Sequence, residues 1–88
     1  MENFHRYFNR IFCINLDRRP DKWLDSLEEF KKWGIVNFQR VPAYDGKGLN
    51  KNDYKIKTSE AGLILTNIDI LKSSIENEFE RILILEDD

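Results

Sequence analysis

The sequence predicts a doubly wound α/β fold, in the order β-α-β-loop-α-β with mostly parallel strands, and three observations carry that expectation. Two short runs, RIFCINL at Arg10–Leu16 and ILIL at Ile82–Leu85, are dominated by aliphatic, β-branched or aromatic residues and are too short for helices. Between them, two longer stretches repeat apolar residues every three or four positions, which is the helical period. A strand, a helix and a second strand within about 30 residues form the pattern of a βαβ unit.

Each element has its own local signals. After the first strand, the polar DRRPD forces a loop from Asp17, and Pro20 suits the first position of a helix, with Asp21 in the turn where exposed amides favour negative charge. Trp23, Leu27, Phe30 and Trp33, helped by Leu24, form one apolar stripe expected in the core, and Gly34 supplies a left-handed cap. Asn37–Pro42 reads as a second strand with Phe38 and Val41 as its apolar residues, and Ala43 to Gly46 as the turn after it. The polar stretch from Lys47 to Lys57 is expected to be a surface loop. Thr58 or Ser59 is placed to cap the next helix, whose Ile64, Ile68, Leu71 and Ile75 recur at helical spacing and which ends near Glu76 to Glu78. The final apolar run, Ile82–Leu85, is expected to be a strand buried on both faces.

Composition narrows the function. Fourteen Lys and Arg against sixteen Asp and Glu give a net charge of −2, so no basic field exists to neutralise a nucleic-acid backbone. A hydrophobic content of 41% argues for a folded chain, and 34% charged residues for a wet surface. At 88 residues, one small domain or part of one is expected. Cys13, the sole cysteine, excludes an internal disulfide and is expected as a buried structural thiol. The opening MENFHRYFNR has no apolar core of a signal peptide, and no segment approaches the roughly 18 apolar residues of a membrane span. A cytoplasmic location follows as an expectation, with peripheral attachment to a membrane left open. The amino-terminal segment is expected to be irregular, with His5 on its surface.

The closing octet, RILILEDD, concentrates the chemistry. Glu86, Asp87 and Asp88 emerge from the carboxyl end of the last strand, the edge at which open α/β sheets bind ligands. Three adjacent carboxylates repel one another unless solvent, a cation or a metal compensates them. Read alone, the octet serves equally as a solvated acidic segment or as part of a site.

Four blocks together, IFCINLDRRPDKW, VPAYDG, TSEAGLILTN and RILILEDD, resemble in order and spacing the amino-terminal part of glycosyltransferase family 25, which includes bacterial lipooligosaccharide galactosyltransferases and collagen galactosyltransferases. The resemblance implies a GT-A-like, Rossmann-type fold that binds a nucleotide-sugar at the carboxyl ends of its strands. It also implies transfer of a hexose, with UDP-galactose as the expected donor and a glycan or lipooligosaccharide as acceptor, assisted by Mn²⁺ or Mg²⁺. Asn15, Leu16, Asp17 and Arg19 after the first strand would border the nucleotide, with Arg18 and Arg19 as phosphate or base contacts. Asp45 and Gly46 after the second strand, and Thr66 and Asn67 in the second helix, complete that border. Glu86 and Asp88 resemble the Asp-x-Asp metal motif, with Asp87 turned toward the ribose or the core.

Where the family has Ser-His in that helix, Thr66-Asn67 keeps the hydroxyl and loses the imidazole. The resemblance spans nearly all of this chain and about the first half of a family domain. Residues 1–88 are therefore expected to form the donor-binding half, with no catalytic base identified in this segment and no sugar transfer by the chain alone. The competing expectation is a non-catalytic fragment, or a binding or assembly module that keeps a nucleotide-binding edge.

Overall fold

The computed structural model describes residues 2–53 and 55–87. Its elements are α1 (Glu2–Tyr7), β1 (Arg10–Asn15), α2 (Pro20–Lys32), β2 (Phe38–Pro42), α3 (Thr58–Glu76) and β3 (Ile82–Glu86), with two short 3₁₀ turns at Gly46–Gly48 and Lys51–Asp53. The three strands form one sheet in the order β2-β1-β3, parallel throughout, with Ile14 opposite Val41 on one side and Glu86 on the other.

Burial explains why RIFCIN takes the centre. Every residue from Ile11 to Asn15 is buried, because side chains alternate between the two faces of a strand that is covered on both. Phe12 and Ile14 meet Ile70 of α3, with Val41, Ala43, Leu63, Phe79, Ile82 and Ile84 packed around them. On the opposite face, Trp23 and Phe30 of α2 stack against Phe38 of β2, the Phe30 and Phe38 ring centroids lying 4.6 Å apart. The connection through α2 and that through α3 run in opposite directions along the sheet and cover opposite faces. Both therefore have the same hand, as the strong right-handed preference of parallel crossovers requires of neighbouring units.

The ends of α2 follow their sequence signals. Pro20 opens α2, and Gly34 (φ 69°) closes it in a Schellman turn, with the Ile35 N–H donating to Phe30 O at 2.8 Å and the Gly34 N–H to Lys31 O. α3 ends in the same motif around Glu78, a non-glycine residue at φ 57°, with the Phe79 N–H donating to Ser74 O at 3.0 Å. This turn drives Phe79 back into the core.

Several expectations are corrected. Residues 2–7 are helical, and His5 is half-buried, with its Nε2 accepting a bond from the Val36 N–H at 2.9 Å. Trp33 and Leu24 lie outside the core, Trp33 at 58% exposure with its indole N–H donating to Glu29. Lys57 occupies the cap position of α3 without a side-chain bond, and Thr58 is already its first residue. The largest correction is the face of α3: Ile64, Ile68, Leu71 and Ile75 are exposed, Ile75 at 76%, whereas Ala61, Gly62, Thr66, Ile70 and Ser74 are buried. Small residues win that face because backbone comes too close for large ones. A Cβ at Gly62 would lie only 2.4 Å from Tyr44 O. The buried hydroxyls of Thr66 and Ser74 donate to carbonyls one turn earlier, Gly62 O and Ile70 O, so they are not left unpaired.

Candidate functional site

In a sheet ordered β2-β1-β3, chain direction across the sheet reverses beside β1, and the carboxyl ends of β1 and β3 flank that switch point. Crevices at such points are where α/β sheets take ligands, because adjacent loops part in opposite directions.

Asn15, the last residue of β1 and 1% exposed, organises the edge. Its Nδ2 donates to Asp87 Oδ2 beyond β3 (2.5 Å) and to Arg19 O in the loop before α2 (3.0 Å). Its Oδ1 accepts from Arg40 Nε of β2 (2.9 Å). Arg40 also donates to Asn15 O at 3.2 Å and to Asp17 Oδ1 at 2.7 Å. One amide thus ties the ends of all three strands and the first loop.

The loop after β2 is fixed against α3 by separate means. The Tyr44 N–H donates to Thr66 Oγ1 at 2.9 Å, and Thr66 in turn donates to Gly62 O at 2.8 Å. Gly46 passes so close to the start of α3 that a Cβ there would lie 2.7 Å from Thr58 O. The Lys47 backbone amide and, after it, the Arg18 guanidinium hold the Asp45 carboxyl below its ordinary range, Arg18 Nε meeting Asp45 Oδ2 at 2.7 Å. Tyr44 donates its hydroxyl to Asp69, which raises the phenol's pKa.

These loops enclose a cavity of about 400 Å³ whose walls include Leu16, Arg18, Tyr44, Asp45, Lys47 and Glu86, with Gly46, Asp87 and the first two residues of α3. Of the residues expected at a site, Leu16, Arg18, Asp45, Gly46, Glu86 and Asp87 line this one space. Asn15, Asp17, Arg19, Thr66 and Asn67 do not line it. Asn15 and Asp17 belong to the network beside the cavity, and Arg19 makes a two-bond ion pair with Asp21. Thr66 uses its hydroxyl as both donor and acceptor within the fold, and Asn67 bonds to Leu63 O. Asp88 lies outside the described residues.

Sequence reasoning missed Arg40, Lys47, Tyr44 and Gly62. Two of them left a signal. Gly62 interrupts a helical pattern, a mark of close backbone approach, and Arg40 places a cation inside a strand. Cys13 faces Ser26 of α2, and burial, with a smaller contribution from Asp87, pushes its thiol pKa up, as suits a structural thiol.

The donor set bears on a metal. Glu86 and Asp87 are hard oxygen donors lining the same cavity, and Mg²⁺ is typically held by one or two carboxylates together with substrate phosphates and water. Among the described residues no group of three or more His, Cys, Asp and Glu forms a cage by itself. The residues present fit a cation shared with a phosphate ligand rather than one enclosed by protein.

Fold and edge together define a small α/β unit with a three-stranded, all-parallel sheet, an arrangement compatible with a Rossmann-like half-domain, with a ligand-sized crevice at its switch point. The chain is similar to procollagen galactosyltransferase 2 of Mus musculus, at 30% identity over 102 aligned residues covering 92% of this chain and 16% of the relative. The human procollagen galactosyltransferase 2 gives the same identity and coverage. This is a distant relation to a glycosyltransferase, and the chain spans 16% of these relatives' length. No family model matches the chain, and no solved structure matches it. Among the described residues, no helix is long and apolar enough to cross a membrane.

Proposed function

We propose that residues 1–88 are the amino-terminal, donor-binding part of a GT-A-like glycosyltransferase of family 25 type. Its reaction would move a hexose, galactose in this reading, from a UDP-sugar to a glycan or lipooligosaccharide acceptor. The observation that carries this reading is the convergence of the β1, β2 and β3 carboxyl ends and the start of α3 on one cavity, with Arg18 and Lys47 in the same walls as Glu86 and Asp87. A nucleoside diphosphate needs that combination: cations for its phosphates, apolar walls for its base, and carboxylates for a bridging metal. The similarity to procollagen galactosyltransferase 2 supports the sugar-transfer class.

The chain's own groups divide the work. Arg18 is half-exposed and, among the described residues, is paired with Asp45, a carboxylate it can exchange for a phosphate oxygen. Ile14, Leu16 and Tyr44 offer apolar surface to a base or ribose. Mn²⁺ or Mg²⁺ would be held by Glu86 and Asp87, with Asp88 adjacent in sequence, and would neutralise charge on the departing nucleotide.

Mapping backbone amide shifts by NMR during addition of UDP with Mg²⁺ tests the location. The expected shifts cluster at residues 16–19, 44–47 and 86–87. Shifts confined to the amino edge of the sheet, where His5, Asn9, Arg10 and Gln39 line a second cavity of about 410 Å³, would contradict the assignment.

A further inference from the structure

We propose that Arg40 is a positioning residue for the carboxyl-edge site: by fixing which way the Asn15 amide points, it sets the Asp87 carboxylate at the cavity wall. The proposal rests on the reading of that cavity as a nucleotide and metal site, and goes beyond it in assigning a role to a β2 residue that does not line the cavity.

The argument is one of polarity. A guanidinium only donates and an ionised carboxylate only accepts, whereas a carboxamide has one end of each kind. Arg40 Nε, 2.9 Å from Asn15 Oδ1, can be met only by the oxygen end. The nitrogen end is then directed at Asp87 Oδ2 and Arg19 O, both acceptors. Turning the amide over would set NH₂ against the guanidinium and oxygen against both the Asp87 carboxylate and the Arg19 carbonyl, three repulsive contacts in place of three bonds. Asn15 is 1% exposed, so water cannot relieve any of these contacts.

Arg40 is itself held in place. It bonds to Asn15 O and Asp17 Oδ1 and lies over the Trp23 ring at 6.0 Å, so its fork has one consistent orientation. Register places Arg40 opposite Cys13, on the α2 face of the sheet, which Asn15 shares by alternation. The relay therefore runs behind the cavity, from β2 through β1 to β3, and reaches it at Asp87. A lysine at this position supplies a single charge in place of the two-point fork and is expected to restore the orientation only in part.

The test uses the whole chain. In the wild-type protein, NMR is expected to detect scalar coupling across the bond from Asn15 Nδ2 to the Asp87 carboxylate, and slow hydrogen exchange of that NH₂. Arg40→Met, which leaves the amide oriented by Asp87 and Arg19 O alone, is expected to reduce the coupling and, by titration calorimetry, to weaken UDP binding about tenfold in the presence of Mg²⁺, the scale expected for losing a partner that orients a metal-binding carboxylate. Metal-free UDP binding is expected to be unchanged, and Arg40→Lys to recover part of the loss. An undiminished coupling in Arg40→Met, or its absence in the wild type, overturns the relay. Loss of metal-free and metal-dependent binding by the same factor also overturns it, since a general structural defect would do that. Absence of UDP binding to a wild-type chain that shows the coupling contradicts instead the nucleotide-site reading, and with it Arg40's bearing on a ligand.

Discussion

At the entrance to α2, Arg19 grips Asp21 through Nε at 3.0 Å and NH2 at 2.9 Å, and this bond draws the Asp21 pKa from 3.8 to about 2. A carboxylate with a lowered folded-state value stabilises the fold fully above its unfolded value. That contribution is lost as pH falls through the folded one. The fastening of the β1–α2 loop is thus expected to hold at pH 5 and to loosen between about pH 4 and pH 2, with the Asp21 side-chain carbon titrating near 2 by NMR. Because the pair is exposed, added salt is expected to shift its titration back toward the ordinary value. The same residues mark what a sequence can disclose. Arg19 was expected as a phosphate or base contact, whereas the fold pairs it with Asp21. Asn15 was legible as an edge residue, but two of its bonds come from Arg40, 25 positions away. Thr66 was expected beside the nucleotide, whereas the fold directs its hydroxyl to the Tyr44 amide.

Helix α3 was legible as a helix and illegible in its orientation. Hydrophobic spacing alone selects Ile64, Ile68, Leu71 and Ile75 as the inner face, yet the buried face is Gly62, Thr66, Ile70 and Ser74. The competing demand comes from the loop carrying Tyr44 and Gly46, which presses on the helix and admits only small or self-satisfied side chains there. Substitution separates the two faces. Ile70→Ala, which removes the contact between α3 and the Phe12 and Ile14 pair, is expected to cost about 2–5 kcal/mol in urea unfolding. Ile68→Ser on the opposite face is expected to change stability by no more than about 0.5 kcal/mol. The reverse ranking would mean that α3 packs through the aliphatic stripe. By contrast, α2 was nearly right from sequence, because Pro20 and Gly34 fix its ends and Trp23, Leu27 and Phe30 fix most of its inner side. Leu24 and Trp33, the latter at the carboxyl cap, escaped that logic.

For the molecule as a whole, parallel strands follow from short apolar runs joined by helices, which is why the sheet, though not its strand order, could be read before the structure. The sequence left two arrangements for β1, central or lateral. The unbroken burial from Ile11 to Asn15 belongs to the central one. That choice creates the switch point, and the switch point brings loops distant in sequence to one cavity. What the cavity holds is the central claim, and isothermal titration of the chain with UDP, with and without Mn²⁺, tests it most directly. Binding in the presence of Mn²⁺ is expected to weaken about tenfold or more when the metal is withheld, and to a similar extent when Glu86 is replaced by Gln with the metal present. UDP affinity that is undetectable under both conditions, or equal in both and indifferent to Glu86→Gln, would contradict a metal-assisted nucleotide-sugar site at the carboxyl edge.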